Sequence, residues 1–205
     1  MKNVLLLGAT GTAGSALTRK LLADTDCHLT LFARHAGEMY TDRICVINGN
    51  AENLEELKSA MPGHDVVYCA ISGNELPQIA QNIVSSMNEA GIKRLIFMGA
   101  VGIYNEIPDE IDVKDNLDNE PAQIPNRKAV DIIESSNLNY TVLRPGYLRD
   151  GNEDDFVLTT KGEAAKGYIT PIPALVKFAT AIILDDDLYS RESVSITRDV
   201  SSVIF

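Results

Sequence analysis

An apolar run followed by three evenly spaced glycines is the feature that most constrains how this chain can fold. Residues 4–7 are continuously apolar, and Gly8, Gly11 and Gly14 follow in the segment GATGTAG. The next residues have helical periodicity, with leucines at positions 17, 21 and 22 on one face. This order predicts a strand, a glycine turn and a helix, the arrangement that binds a pyrophosphate. An ordinary strand–helix turn with unrelated glycines is the alternative, and the order of the elements disfavours it.

Each glycine has a separate physical role in such a turn. Gly8 permits the tight exit from the strand, Gly11 leaves room for a phosphate to approach the backbone, and Gly14 lets the helix lie close to the sheet. The first turn of the helix has unpaired N–H groups and a partial positive charge, and both attract phosphate. The predicted phosphate-binding residues are Gly8, Thr10, Gly11, Thr12, Ala13 and Gly14.

The Gly-x-x-Gly-x-x-Gly spacing resembles that of the atypical and extended short-chain dehydrogenase/reductases. It is most similar to the NmrA-like, NAD(P)H-binding group, which includes flavin and biliverdin-type reductases. Residues 128–148, KAVDIIESSNLNYTVLRPGYL, carry the same resemblance, which extends over nearly the whole chain. The resemblance implies a Rossmann fold and a nicotinamide dinucleotide cofactor, and it does not specify a reaction.

Strand and helix patterns alternate along the chain, which favours a parallel sheet with right-handed crossovers. We therefore predict an α/β fold: one doubly wound parallel sheet in a single NAD(P)-binding domain over residues 1–205. The loop-rich residues 149–172 are expected to form a small C-terminal cap over the substrate. The predicted strands are 4–7, 28–33, 43–47, 65–71, 94–98, 139–144 and 192–197, and the later predicted helices are 51–60, 75–90, 125–136 and 174–184.

Composition excludes several classes of protein. A chain of 205 residues with 45% hydrophobic and 23% charged residues is typical of one soluble globular domain. It has no leader and no apolar run of about 18 residues, so we expect a cytoplasmic protein that does not span a membrane. The net charge of −11 argues against nucleic acid and anionic membranes as partners. The three cysteines are expected to be buried thiols, and the dispersed histidines predict no metal site.

The residues after the second predicted strand indicate which nicotinamide cofactor the protein prefers. In this fold the end of that strand faces the adenosine ribose, where an acidic residue would bind the 2′-hydroxyl of NAD(H). Here Arg34 and His35 follow the strand, and the next carboxylate is Glu38. Because a guanidinium pairs well with phosphate, Arg34 predicts a preference for NADP(H) over NAD(H). An exposed loop arginine without a ligand is the alternative.

Two further strand ends are predicted to contact the cofactor. The resemblance implies that Asn50, beside Ala51, occupies the position of an aspartate that contacts the adenine. Asn50 is also a good residue for capping the following helix, and the two roles are not exclusive. Small residues at the end of the fourth strand lie at the topological switch point, against the cofactor. The predicted cofactor-binding residues at this strand end are Ala70, Ile71 and Ser72.

The resemblance also indicates what the chain lacks. Catalytic relatives carry serines where this chain has Gly99 and Ala100, so the hydroxyl that polarises a substrate carbonyl is missing. The backbone of Gly99 is expected to contact the cofactor. Lys128 matches the lysine of a Tyr-x-x-x-Lys motif, but Ile124 replaces the tyrosine. The resemblance implies that Lys128 holds the nicotinamide ribose; a surface lysine is the alternative.

The turn after the sixth predicted strand is expected to cover the nicotinamide. The resemblance assigns this role to Pro145, Gly146, Tyr147 and Leu148. Tyr147 then points toward the reaction site, and Tyr147 and Lys128 are the candidate catalytic residues; a packing aromatic is the alternative for Tyr147.

The acidic, proline-containing segment 105–123 predicts a long surface loop, either a lid over the nicotinamide or a solvated loop.

These residues support two main hypotheses about function. The first is an NADP(H)-dependent oxidoreductase that reduces a conjugated small-molecule acceptor such as a flavin or quinone, which depends little on the missing hydroxyl donors. The second is a non-catalytic redox sensor of NmrA type, which would need a protein partner. Sugar epimerisation or dehydration is disfavoured, because those reactions use the tyrosine that the chain lacks.

Overall fold

Strands and helices alternate through most of this computed structural model, which describes residues 1–37 and 41–200. The strands are β1 (Asn3–Leu7), β2 (His28–Ala33), β3 (Ile44–Asn48), β4 (Val66–Cys69), β5 (Arg94–Met98), β6 (Asn139–Pro145), β7 (Tyr147–Arg149), β8 (Val157–Thr160), β9 (Ile169–Pro171) and β10 (Glu192–Thr197). The helices are α1 (Thr12–Asp24), α2 (Leu54–Ala60), α3 (Leu76–Ala90), α4 (Gln123–Glu134) and α5 (Ile172–Leu184). A single 3-10 turn, Val113–Asp115, interrupts the long segment before α4.

Eight strands form one sheet in the order β3-β2-β1-β4-β5-β6-β10-β8. The chain winds outward from β1 in both directions, so the strand order reverses between β1 and β4, as in a doubly wound fold. Every neighbouring pair from β3 to β10 is parallel. The α/β Rossmann-like fold predicted from the sequence is therefore confirmed.

The outer edge of the sheet departs from the predicted parallel arrangement. β8 pairs with β10 in the antiparallel direction. Between β6 and β8 the chain forms only the short strand β7 and a loop. No crossover helix returns it to the opposite edge of the sheet, and a parallel pair requires such a crossover. Residues 149–172 thus add one strand to the main sheet, and their second strand, β9, pairs with β7 in a small parallel sheet.

Helices cover both faces of the sheet. Val4 and Leu6 of β1 pack with α1 and α5 on one face, whereas Leu5 and Leu7 pack with α2, α3 and α4 on the other. Alternate residues of the strand are therefore buried on opposite sides, which explains why residues 4–7 are continuously apolar. None of the helices in the described ranges is long and apolar enough to cross a membrane.

Two local predictions are wrong. The predicted cap at Asn50 lies too early, since α2 begins at Leu54 and Asn53 caps it by accepting hydrogen bonds from the amides of its first turn. The Asn50 Oδ1 instead accepts a hydrogen bond of 3.1 Å from the Glu52 amide. Cys45 is exposed rather than buried, because β3 is an edge strand of the sheet.

Candidate functional site

The turn between β1 and α1 brings the start of the helix against the carboxyl end of the strand. Gly8 has φ +80°, and its N–H donates to the Phe32 carbonyl at 3.0 Å. A Cβ at Gly14 would lie 2.3 Å from the Gly8 carbonyl oxygen, so only glycine fits there without movement of the backbone. Gly8 and Gly14 therefore serve the fold itself: one turns the chain and the other allows close packing.

Gly11 differs from the other two glycines because the space beside it is open. A Cβ there would meet only the Gly8 carbonyl oxygen, at an ordinary contact distance of 3.5 Å. Gly11 is the N-cap residue of α1, and this helix end has no side-chain cap and no acidic residue in its first turn. The amides of Thr12, Ala13 and Gly14 are thus available to an anion, and the residues present fit a pyrophosphate.

A cavity of about 400 Å³ extends from this turn along the carboxyl ends of β1, β2 and β4; it is called the first cavity below. Ten of the predicted cofactor-binding residues line it. They are Gly8, Thr10, Gly11, Arg34, His35, Asn50, Ala51, Ala70, Ile71 and Ser72. The structure therefore brings together the glycine turn and the ends of the second, third and fourth strands.

Sequence reasoning missed eight other residues that line the first cavity. They are Phe32, Ala33, Gly49, Glu52, Gly73, Asn74, Glu75 and Ile79. The wall between β2 and β3 is held by two hydrogen bonds: Gly49 N–H donates to the Ala33 carbonyl at 3.0 Å, and Ala36 N–H donates to Asn48 Oδ1 at 2.8 Å. Most of the eight missed residues follow the end of a strand, and that position is the signal that could have identified them.

Arg34 and His35 are both exposed at the end of β2. The Arg34 guanidinium has no hydrogen-bond or ion-pair partner in the described part of the chain, so it is available to a ligand. Glu52 and Glu75 line the same cavity. Glu38, the first carboxylate after Arg34 in the sequence, lies outside the described residues.

A second cavity, of about 280 Å³, lies at the carboxyl ends of β5 and β6. It is lined by Ala100, Val101, Asp115, Glu120, Ala122, Gln123, Asn126, Pro145, Gly146, Tyr147 and Tyr168. Three of these, Pro145, Gly146 and Tyr147, belong to the predicted nicotinamide-covering turn. Leu148 of the same turn instead lies against the apolar layer that α1 and α5 form.

Tyr147 is half exposed at the rim of the second cavity. Its hydroxyl donates a hydrogen bond of 2.9 Å to Asp115 Oδ1, and its amide donates to the Tyr168 carbonyl at 2.8 Å. The hydrogen bond to Asp115 and the nearby negative charges of Asp115, Asp112 and Glu120 raise the pKa of Tyr147. The phenol is therefore a weaker proton donor than an unpaired tyrosine.

The pocket side of α4 carries different residues from those that the sequence motif indicated. Ala122 and Asn126, four residues apart, line the second cavity. Ile124 and Lys128 are also four residues apart, but both are exposed. Because two residues correspond to about 200° of helical rotation, this pair faces away from the cavity. The structure does not bring Lys128 to the site with Tyr147, and the position facing the cavity is taken by Asn126.

Gly99 lies beside the second cavity rather than in its lining. A Cβ at Gly99 would lie 3.2 Å from Val130 Cγ2, which is a tight contact with α4. The neighbouring Ala100 does line the cavity. The end of β5 therefore presents no side-chain hydroxyl at either position, as the sequence predicts.

The acidic segment 105–123 is held in place by buried amides. Asn116 exchanges two hydrogen bonds with the backbone of Ile107, at 2.8 and 3.0 Å. Gln123 Nε2 donates to the carbonyls of Val101 and Asp115, both at 3.0 Å. A small apolar cluster of Val101, Ile107 and Ala165 lies beneath the segment. Segment 105–123 is thus packed onto the protein and forms one wall of the second cavity.

Together, a doubly wound sheet, a glycine turn at its switch point and a cavity along its carboxyl edge define a Rossmann-type dinucleotide-binding protein. Within residues 1–37 and 41–200, no group of histidine, cysteine and acidic residues is placed to hold a metal ion. The sequence matches the NAD(P)H-binding family over residues 8–186, so the chain belongs to that family. The predicted membership of the atypical, NmrA-like short-chain dehydrogenase/reductases is confirmed.

Solved structures agree with this assignment. A Rossmann-fold NAD(P)-binding family protein from Shigella flexneri is 32% identical, with a TM-score of 0.83 over 97% of this chain and 94% of that chain. A wide-type short-chain dehydrogenase/reductase from Veillonella parvula, solved in complex with NADP, is 27% identical, with a TM-score of 0.87 over 100% of this chain and 97% of that chain. No curated protein sequence matches the chain significantly.

The open space beside Gly11 leads to a prediction about binding. We expect Gly11→Val to remain folded but to lose affinity for NADPH by at least about a hundredfold, because the side chain would occupy the space into which the phosphates approach. Isothermal titration calorimetry measures the affinity, and circular dichroism checks the fold. The matched control is Gly14→Ala, which should instead lower the melting temperature, since its Cβ would meet the Gly8 carbonyl oxygen. Unchanged NADPH affinity in Gly11→Val would show that the phosphates bind elsewhere.

Proposed function

We propose that this protein is an NADPH-dependent reductase whose acceptor is a conjugated small molecule such as a flavin or quinone. The observation that carries the proposal is the second cavity, which lies at the same edge of the sheet as the glycine turn and has no side-chain hydroxyl at the end of β5. A cavity beside a dinucleotide site gives an acceptor a place to bind, and the missing hydroxyls restrict which acceptors can react there.

The described residues suit a dinucleotide that extends from the first cavity to the second. The amides of Thr12, Ala13 and Gly14 would bind the pyrophosphate, and Asn50 and Ala51 would lie beside the adenine. Ala70, Ile71 and Ser72 would contact the middle of the cofactor, and the turn Pro145–Gly146–Tyr147–Leu148 would cover the nicotinamide. In this proposal residues 149–172 act as a small cap, which is supported by the position of Tyr168 in the second cavity.

The preference for NADP(H) rests on Arg34. Its guanidinium is exposed, lines the first cavity and is not paired within the described residues. A charge-assisted hydrogen bond from a guanidinium to a phosphate is stronger than a neutral one. Arg34 would therefore strengthen the binding of NADP(H), which carries a 2′-phosphate, more than that of NAD(H), which carries a 2′-hydroxyl. The related Veillonella parvula structure holds NADP, which is consistent with this choice.

The choice of acceptor rests on the hydrogen-bond donors at the second cavity. When bound, the reduced nicotinamide supplies a hydride, and the acceptor takes one further proton to complete its reduction. A simple ketone needs a donor at its oxygen as negative charge develops there. Two phenols, those of Tyr147 and Tyr168, line the cavity, and neither stands at the end of β5. Asp115 accepts the hydrogen bond of the Tyr147 hydroxyl and raises the pKa of Tyr147. A flavin or quinone spreads the charge over its rings and can take its proton from water.

Cofactor preference can be tested by removing one cation. We expect Arg34→Ala to weaken NADPH binding by about ten- to a hundredfold, the range for loss of a charged hydrogen bond, and to leave NADH binding nearly unchanged. Calorimetric titrations with both cofactors provide the measurement. Arg19→Ala removes the same charge from an exposed position on α1 outside the first cavity and should change neither affinity. Equal affinity of the parent protein for NADPH and NADH would contradict the assignment.

The acceptor class can be tested by steady-state NADPH oxidation. We expect turnover with riboflavin and with a neutral quinone, and rates at least about a hundredfold lower with simple aldehydes and ketones. Tyr147→Phe should change the flavin rate by less than about tenfold, because the proton comes from water. Rapid reduction of a simple ketone, or a loss of a hundredfold or more with flavin in Tyr147→Phe, would contradict the proposal.

The same assay of NADPH oxidation distinguishes a reductase from a non-catalytic redox sensor. Tight NADPH binding together with negligible oxidation in the presence of every acceptor would favour the non-catalytic function. In that case the affinities for NADPH and NADP⁺ should differ markedly, since a sensor must report the redox state of its ligand.

A further inference from the structure

The charged groups of the second cavity all have the same sign. Asp115 and Glu120 line it, and among residues 1–37 and 41–200 no lysine or arginine does. The other polar side chains of the lining are neutral: the amides of Gln123 and Asn126, and the phenols of Tyr147 and Tyr168. An acceptor in this cavity therefore meets two carboxylates and no compensating cation in the wall.

Both carboxylates are held in place by hydrogen bonds. Asp115 Oδ1 accepts from the Tyr147 hydroxyl at 2.9 Å, and the Asp115 carbonyl accepts from the Gln123 side chain at 3.0 Å. Glu120 Oε1 accepts from the Ala122 amide at 3.0 Å, at the N-terminus of α4. These contacts hold both carboxylates in the wall of the cavity.

The Arg149 side chain lies beside Tyr147, at the rim of the cavity. The Arg149 guanidinium is 5.8 Å from the centre of the Tyr147 ring, and it also donates to the Leu148 carbonyl at 3.0 Å. It is exposed to solvent, outside the lining. Solvent screens an exposed charge strongly, so Arg149 offsets only part of the field of the two acids.

From this arrangement we infer that the second cavity selects acceptors without negative charge: a flavin ring system lacking phosphate or an uncharged quinone, in preference to a flavin phosphate or a conjugated acceptor bearing carboxylates. Asp115 and Glu120 are the residues that determine this specificity. The inference rests on the proposed function, since it assigns a substrate class to the proposed acceptor site. Like charges a few ångströms apart repel each other even near solvent, so we expect two acids facing one phosphate to lower its affinity by about tenfold.

The inference can be tested by comparing the affinities of riboflavin and FMN, because the two share one ring system and differ by a phosphate. Both would be titrated into the complex with NADP⁺ at low salt, with flavin fluorescence as the readout. We expect riboflavin to bind about tenfold more tightly than FMN, and the difference to shrink in 0.5 M salt, which screens exposed charges (about 3 Å Debye length at 1 M).

Charge-removing variants identify the residues responsible. The double variant Asp115→Asn/Glu120→Gln keeps the hydrogen-bond acceptors and removes both charges, and it should bring FMN and riboflavin to within about twofold. Glu110→Gln is the matched control, since it removes an exposed acid from the same segment outside the cavity and should leave the preference intact.

Three outcomes would overturn the inference: equal affinities in the parent protein, an unchanged preference in the double variant, or no binding of either flavin. The proposed function is tested separately by turnover. Selective riboflavin binding without NADPH oxidation would refute the reductase proposal and leave the selectivity standing.

Discussion

The close contact between Gly14 and the Gly8 carbonyl is the constraint on which the rest of the site depends. It places the start of α1 directly against the end of β1, where a side chain would force the two apart. The amides of the first helical turn consequently face the crevice at which the strand order reverses. The first cavity extends from this point, and its other walls are strand ends that the sheet register fixes relative to β1.

A buried ion pair gives the second half of the site its shape. Arg144, at the end of β6, is fully buried and pairs with Glu106 of the acidic segment. Its Nε also donates to Ser193 Oγ at 3.1 Å, which ties the pair to β10. The pair therefore joins the segment to the sheet, and removing one of its members would leave an uncompensated buried charge. The acidic segment is thus packed onto the sheet through buried contacts, which supports its role as one wall of the acceptor site.

Much of the fold could be predicted from the sequence because buried parallel strands and amphipathic helices leave strong periodic patterns. The glycine turn was predictable for a similar reason, since its three positions have distinct steric requirements. The cap at Asn53 and the antiparallel β8 leave no such pattern. A cap depends on which residue is the first with helical geometry, and strand direction depends on where the chain re-enters the sheet. The sequence analysis left open whether segment 105–123 is a lid or a solvated loop, because the contact that places Asp115 at the cavity is with Tyr147, 32 residues away in the sequence. The spacing of the Tyr-x-x-x-Lys motif pointed to Lys128 on α4, whereas the rotation of the helix brings Asn126 to the cavity.

The central claim is that one dinucleotide extends along the carboxyl edge of the sheet from the first cavity to the second. A crystal structure of the complex with NADP⁺ tests it most directly. The account predicts pyrophosphate oxygens within hydrogen-bond distance of the amides of Thr12, Ala13 and Gly14, and the nicotinamide ring between Ala100 and Gly146. Phosphates bound away from the turn between β1 and α1, or a nicotinamide ring that does not reach the second cavity, would contradict it.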